Sequence, residues 1–254
     1  MNKSRWIAHE RVTDENNINL FCFTYPGGSA SSFAIWKKML DQSINLLPVL
    51  YPEREIRKKD KMPETFDLFV EDFINENREL LEKPYAFFGY CGGAVIAYEV
   101  AVRVKKLTGK EPVWGLIASS EAPKYLKDSL VGYSSDDDED SVKNYLKGLG
   151  MFDEQILNSD MFMQYYAPLL KADCIMLNTY VEREYEKLGT ELYVMYGKED
   201  HTVSKEKTEE WKNVTEKEMV LDIRDGGHFF VEEQKEYVIG LINEKLRGNK
   251  VGSN

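Results

Sequence analysis

A cysteine with a glycine two positions away on each side, Gly89-Tyr90-Cys91-Gly92-Gly93, is the part of this chain best suited to covalent chemistry. It follows the apolar run YAFF and leads into the helix-like stretch AVIAYEVAVRVKKL. A nucleophile on a tight bend between a buried strand and a helix needs neighbours almost free of side chains, and Gly89 and Gly93 meet that need. The bend lifts the side chain clear of the sheet and aims the next N–H, that of Gly92, at a substrate carbonyl oxygen. The segment thus nominates Cys91 as nucleophile and Gly92 as one oxyanion donor. The competing reading is a buried cysteine in a glycine-rich loop, since unpaired cysteine packs as a small apolar residue.

A thiol becomes far more potent as thiolate, so Cys91 calls for a base, and the base for an orienting carboxylate. The run ELYVMY leads into Gly197-Lys198-Glu199-Asp200, and EMVLDI into Arg224-Asp225-Gly226-Gly227-His228. Asp200 is the expected acid, with Glu199 as the local alternative, and His228 the expected base. Taken alone, an aspartate after a strand is ordinary turn chemistry. Order and context raise the three together: nucleophile, acid and histidine each follow a strand, in the chain order of α/β-hydrolases. His201 reads as loop surface and His9, ahead of the first strand, as peripheral. A second oxyanion donor belongs in the loop Thr24-Tyr25-Pro26-Gly27-Gly28-Ser29. Proline has no N–H, so Pro26 is excluded and the Tyr25 N–H is assigned. A glycine turn that serves only to reverse the chain is the alternative.

The elements that must place these groups are legible as short apolar runs at residues 18–25, 44–51, 85–89, 113–119, 191–196 and 218–223. These read as buried strands. Amphipathic stretches lie between them: Phe66, Phe69, Phe73 and Leu80 share one helical face, residues 95–107 follow the bend, and residues 231–246 look like a closing helix before the tail GNKVGSN. Strand–helix alternation implies a mostly parallel sheet covered on both faces. It breaks between about residues 122 and 188, which hold the acidic run Ser134-Ser135-Asp136-Asp137-Asp138-Glu139-Asp140 and then helical periodicity. That span reads as a helical lid over the carboxyl edge of the sheet, the acidic run as a solvated loop. Met161, Phe162, Met163, Tyr165 and Tyr166 either line an acyl channel or simply pack a helix, the latter being the commoner use of such residues.

At 254 residues the chain accommodates one sizeable core, and a single α/β domain over residues 1–254 is expected. Its 33 Lys and Arg against 44 Asp and Glu leave a net charge of −11, which repels nucleic-acid backbones and anionic membrane surfaces. No apolar stretch approaches membrane-spanning length and the start MNKSRWIAHE has no secretory character, so a cytoplasmic protein is expected. Cys22, Cys91 and Cys174 are widely spaced and odd in number, which suits reduced thiols. With three histidines and no clustered Cys/His spacing, a structural zinc site is not expected.

Beyond the bend itself, LFCFTYPGGSASSF, YPERE at 51–55, AFFGYCGGAVIAYEVA, APLLKAD at 167–173 and GGHFF at 226–230 together resemble the type II thioesterases of nonribosomal peptide and polyketide synthases. The resemblance spans nearly the whole chain. It implies an α/β-hydrolase fold with a helical lid, no metal or bound cofactor, and a monomer. The implied substrate is an acyl thioester on the phosphopantetheine arm of a carrier protein, with small acyl thioesters also hydrolysed. Carried over by position, Cys91, Asp200 and His228 form the triad, and Tyr25 and Gly92 are the oxyanion donors.

Two adjacent residues depart from the family's GHSMG-like pattern: Tyr90 stands where histidine is usual and Cys91 where serine is usual. Acyl transfer to sulfur yields a second thioester of nearly equal energy, so the intermediate stays activated. Hydrolysis of carrier-bound acyl or aminoacyl groups is the leading expectation, and transfer of the group to another thiol or an amine the alternative. A non-catalytic carrier-binding partner and a small-molecule esterase rank lower.

Overall fold

The computed structural model describes residues 4–14, 17–129 and 139–247. The acidic residues 134–138 and the tail from Gly248 lie outside the described residues. Six parallel strands form one sheet in the order β2-β1-β3-β4-β5-β6. They are β1 (Ile18–Phe23), β2 (Ile44–Pro48), β3 (Tyr85–Tyr90), β4 (Gly115–Ala118), β5 (Leu192–Gly197) and β6 (Met219–Arg224). Every residue of β1, β2, β3 and β4 is buried, the expected result of continuous apolar runs in a sheet covered on both faces. β6, an edge strand, is only partly buried. The β2 edge is covered by the N-terminal segment, where Ile7 and Arg11 pair antiparallel with Val49 and Leu46.

The longer helices are α1 (Phe66–Leu81), α2 (Gly92–Thr108), α4 (Glu139–Leu149), α6 (Asp160–Asn178) and α9 (Lys235–Leu246). Between them lie the short α3 (Leu126–Ser129), α5 (Glu154–Leu157), α7 (Lys205–Glu209) and α8 (Phe230–Glu233). The apolar face of α1 buries Phe66, Phe69 and Phe73 as its spacing predicts, while Leu80 is only partly buried. The closing stretch is two helices rather than one, because the chain leaves helical geometry at Gln234. A 3₁₀ segment over Ala30–Lys38, which the apolar spacing does not predict, packs Phe33 and Trp36 against Phe88 on the other face of the sheet. Helices α3 to α6 all fall between β4 and β5, where the strand–helix alternation breaks.

The topology fixes where ligands can enter. From β1 the chain crosses to β2 on one side and then back to β3 on the other, so the connections leaving β1 and β3 diverge and open a crevice at their carboxyl ends. The register pairs Phe23 with Gly89, which sets the loop starting at Thr24 directly beside Tyr90 and Cys91.

Candidate active site

Cys91 occupies the bend between β3 and α2 with φ 52° and ψ −128°, a conformation that non-glycine residues rarely adopt. The two flanking glycines are a steric requirement of that bend. A Cβ on Gly89 would lie 2.4 Å from the Ala94 Cα, and one on Gly93 would lie 2.4 Å from the Thr24 carbonyl oxygen. The Cys91 N–H donates to the Ala118 carbonyl at 2.9 Å, tying the bend to the end of β4. Cys91 is partly exposed, whereas Cys22 and Cys174 are buried, and burial pushes the thiols of those two well up. As N-cap of the 17-residue α2, its sulfur stands at the positive end of the helix dipole.

His228 and Asp200 arrive from the two neighbouring loops. Gly197 lets these loops cross, since a Cβ there would meet the Gly227 carbonyl oxygen at 2.2 Å. The Asp200 Oδ2 accepts a hydrogen bond from the His228 Nδ1 at 2.8 Å. Its other oxygen, Oδ1, accepts from the Thr202 N–H at 2.9 Å and the Thr202 hydroxyl at 2.7 Å. Glu199, the alternative acid, instead accepts from the Gly226 N–H, and its neighbour His201 is exposed. His9 pairs with Glu55 at 2.8 Å, away from these groups. The main chain of His228 is pinned as well: its carbonyl accepts from the Tyr90 hydroxyl at 3.0 Å and from the Ser119 hydroxyl at 2.7 Å. Tyr90, where the motif departs from histidine, therefore holds the imidazole segment against β3. Thr202 and Ser119 are site residues that the motifs do not single out, although Asp-x-Thr is a recognisable local turn pattern.

The electrostatics follow from this geometry. Burial works against the Asp200 charge, but the hydrogen bonds from His228 and Thr202 outweigh it and hold the carboxyl below its ordinary range. Burial also disfavours a charged His228, yet the Cys91 sulfur and the Asp200 carboxylate overcome it and raise the imidazole to about 10. Its Nε2 is buried with no conventional hydrogen-bond partner, and Cys91 is the polar neighbour acting on the ring from that cavity. An imidazole fixed through Nδ1 and free at Nε2, beside a sulfur at a helix N-terminus, is an arrangement for moving a proton to and from that sulfur.

The loop Thr24–Ser29 lies against the same bend. The Gly28 N–H donates to the Tyr25 carbonyl at 2.9 Å, and Gly27 at φ 79° follows Pro26, the signature of a type II turn. Among the described residues the main-chain N–H groups of Tyr25 and Gly92 have no hydrogen-bond partner. A cavity of about 20 Å³ adjoins Cys91, lined by Gly92, Ser119, Thr202 and His228 from the sheet side and by Leu126, Tyr145 and Leu149 from the inserted helices. That is room for roughly one water molecule. None of the residues singled out for a channel lines that cavity: Met161 and Tyr165 are 83% and 62% exposed, Phe162 is partly buried, and Met163 and Tyr166 are packed in the core. Among the described residues no three His, Cys, Asp or Glu side chains converge as a metal site requires, and no helix is long and apolar enough to cross a membrane.

The Thioesterase domain family model matches residues 18–246, from the start of β1 to the end of α9. The chain belongs to the thioesterase domain family. It is a thioester hydrolase with the α/β-hydrolase fold. The enzyme is 27% identical over 244 residues to the gramicidin S biosynthesis protein GrsT of Aneurinibacillus migulanus, an alignment covering 96% of this chain and 94% of that one. It is 26% identical to the thioesterase PikA5 of Streptomyces venezuelae, over 95% of this chain and 85% of the other. The fold matches the solved structure of BorB, the type II thioesterase from the borrelidin biosynthetic cluster, with a TM-score of 0.81. That match has 24% identity and covers 97% of this chain and 100% of BorB.

Proposed function

We propose that this thioesterase releases acyl or aminoacyl groups from the phosphopantetheine arm of a carrier protein, through a Cys91–His228–Asp200 triad and an acyl-cysteine intermediate. The observation that carries the reading is the imidazole held at Nδ1 by Asp200, 2.8 Å away, with Nε2 buried and unpartnered beside Cys91. The Cys91 thiolate attacks the thioester carbonyl, and the resulting oxyanion is held by the N–H groups of Tyr25 and Gly92. Collapse breaks the carbon–sulfur bond to the pantetheine thiol, which takes its proton from the His228 imidazolium. His228 then deprotonates a water, which attacks the acyl-cysteine, expels the Cys91 thiolate and releases the acid. Helices α3 to α6 act as a lid on the single domain, because a cavity of about 20 Å³ cannot admit an acyl chain until they move. The carrier as partner and the synthase setting are supported by relatives and structural neighbours: GrsT is named for gramicidin S biosynthesis, and YbtT is a type II thioesterase from the yersiniabactin NRPS/PKS biosynthetic pathway.

The sulfur at Cys91 also favours a second outcome. Acyl transfer to it forms a thioester of nearly the same energy as the pantetheine thioester, so the intermediate stays activated toward another thiol and transfer between carriers competes with hydrolysis. The two are separated by mixing the enzyme with a carrier bearing a labelled acyl group, with and without an unloaded carrier. Free labelled acid made by the wild type and lost in Cys91→Ala supports hydrolysis through this sulfur. Label appearing on the second carrier faster than in free solution assigns transfer. Equal acid production by Cys91→Ala would defeat the triad.

A further inference from the structure

Among the described residues the most heavily buried ion pair lies outside the triad. Arg54, from the YPERE segment, and Asp173, from APLLKAD, have side chains that are 0% and 1% exposed. Their contact is a two-pronged fork: the Arg54 Nη1 donates to the Asp173 Oδ2 at 2.9 Å, and Nη2 donates to Oδ1. Removing two charges from water is expensive, and an apolar pair of similar volume is often equally stable at such a place. Fold stability is therefore a weak reason for it. Each partner also bonds to one shared target, the turn Tyr25-Pro26-Gly27-Gly28. The Asp173 Oδ2 accepts from the Gly27 N–H at 2.7 Å, and the Arg54 Nη1 donates to the Gly28 carbonyl at 2.6 Å. The Arg54 Nε is held in turn by the Pro52 carbonyl at 3.0 Å.

The same two elements grip the turn elsewhere. The Tyr51 hydroxyl donates to the Thr24 carbonyl at 3.0 Å, and Glu55 accepts from the Ser29 hydroxyl and, at 3.1 Å, from the Ser31 N–H. From α6, the Tyr166 ring lies where a Gly27 Cβ would sit at 2.7 Å, and the Leu177 Cδ1 lies 2.8 Å from the Cβ position of Gly92. One inserted helix thus touches the immediate surroundings of both N–H groups assigned to the oxyanion.

We propose that Arg54 and Asp173 are positioning residues which hold the Tyr25 N–H in line with that of Gly92 and bind the geometry of the oxyanion hole to the seating of α6. The inference rests on the triad reading above. Its consequence is a hole complete only when α6 is docked, so that movement of the inserted helices both admits substrate and dismantles the donors.

The test uses Asp173→Asn, which keeps shape and one acceptor but loses the charge and the fork, and Arg54→Lys, which keeps the charge and loses the fork. With an acyl-pantetheine substrate, kcat is expected to fall about 10–100-fold in Asp173→Asn and less in Arg54→Lys, with KM within about twofold. Affinity for a trifluoromethyl ketone analogue, whose adduct with Cys91 places an oxyanion in the hole, is expected to fall by the same factor as kcat. Alkylation of Cys91 by iodoacetamide, which needs no oxyanion hole, is expected to keep its wild-type rate. Unchanged kcat in folded Asp173→Asn, or alkylation slowing in parallel with kcat, would overturn the positioning role. If Asp173→Asn does not fold, Arg54→Lys decides by the same criteria. Wild-type hydrolysis by Cys91→Ala would instead remove the triad reading itself, so the two failures are told apart.

Discussion

At the scale of single residues, the site is a set of demands on Cys91, His228 and Asp200, each met by a neighbour that is not itself reactive. Asp200 spends one oxygen on His228 and the other on Thr202, so the carboxylate cannot rotate away from the ring. The role of orienter proposed for Asp200 gives a direct expectation. Asp200→Asn presents an amide that selects the wrong imidazole tautomer, and kcat for thioester hydrolysis should drop on the order of 10³-fold or more while the circular-dichroism spectrum is unchanged. A loss below about tenfold would show that Asp200 does not orient the base. These three residues are legible in the amino-acid order because the chemistry requires particular types after particular strands. Thr202 and Ser119 are not, since a hydroxyl that supports a triad leaves no signature distinguishing it from any other loop hydroxyl.

At the scale of elements, strands and inserted helices behave differently. Strands β1 to β4 follow from nearly continuous apolar runs, because a strand buried on both faces leaves few positions for polar side chains, whereas the edge strand β6 is only partly buried. The inserted helices carry amphipathic patterns that report which face is apolar but not what that face meets. Met161 and Tyr165 turn outward, and the side chains at the Cys91 cavity are Leu126, Tyr145 and Leu149 from α3 and α4. Their position makes them the wall against which an acyl chain would grow. Leu149→Ala should therefore shift the ratio of kcat/KM between acyl thioesters differing by two or more methylenes toward the longer one, by roughly tenfold. Competition assays with paired thioesters measure that ratio directly. No shift would place the acyl chain along another wall.

At the scale of the whole molecule, folding and protonation are linked through the same buried cluster. The folded imidazole of His228 is raised to about 10 against an ordinary value of 6.5, so its contribution to stability is fully present below about pH 6.5 and is lost as pH rises through about 10. Asp200 has the opposite sign: lowered on folding, it contributes above its ordinary value of 3.8 and loses that contribution in acid. Denaturant midpoints measured from pH 6 to 10 should show the stability advantage of wild type over His228→Asn shrinking as pH rises. In Cys91→Ser, which removes the foremost positive influence on the ring, that window should contract. A pH-independent difference would contradict the coupling.

What the amino-acid order determined alone was the alternation of buried strands with helices, the glycines around Cys91 and the succession of Cys91, Asp200 and His228, because backbone sterics and burial act locally and leave local patterns. What only the tertiary structure decided was which distant groups meet: Arg54 with Asp173 across the Gly27 turn, Tyr90 with the carbonyl of His228, and Leu149 with the cavity beside Cys91. Such meetings depend on strand order and on the seating of α6. Those are set by the packing of the whole core, which no single segment of the chain contains.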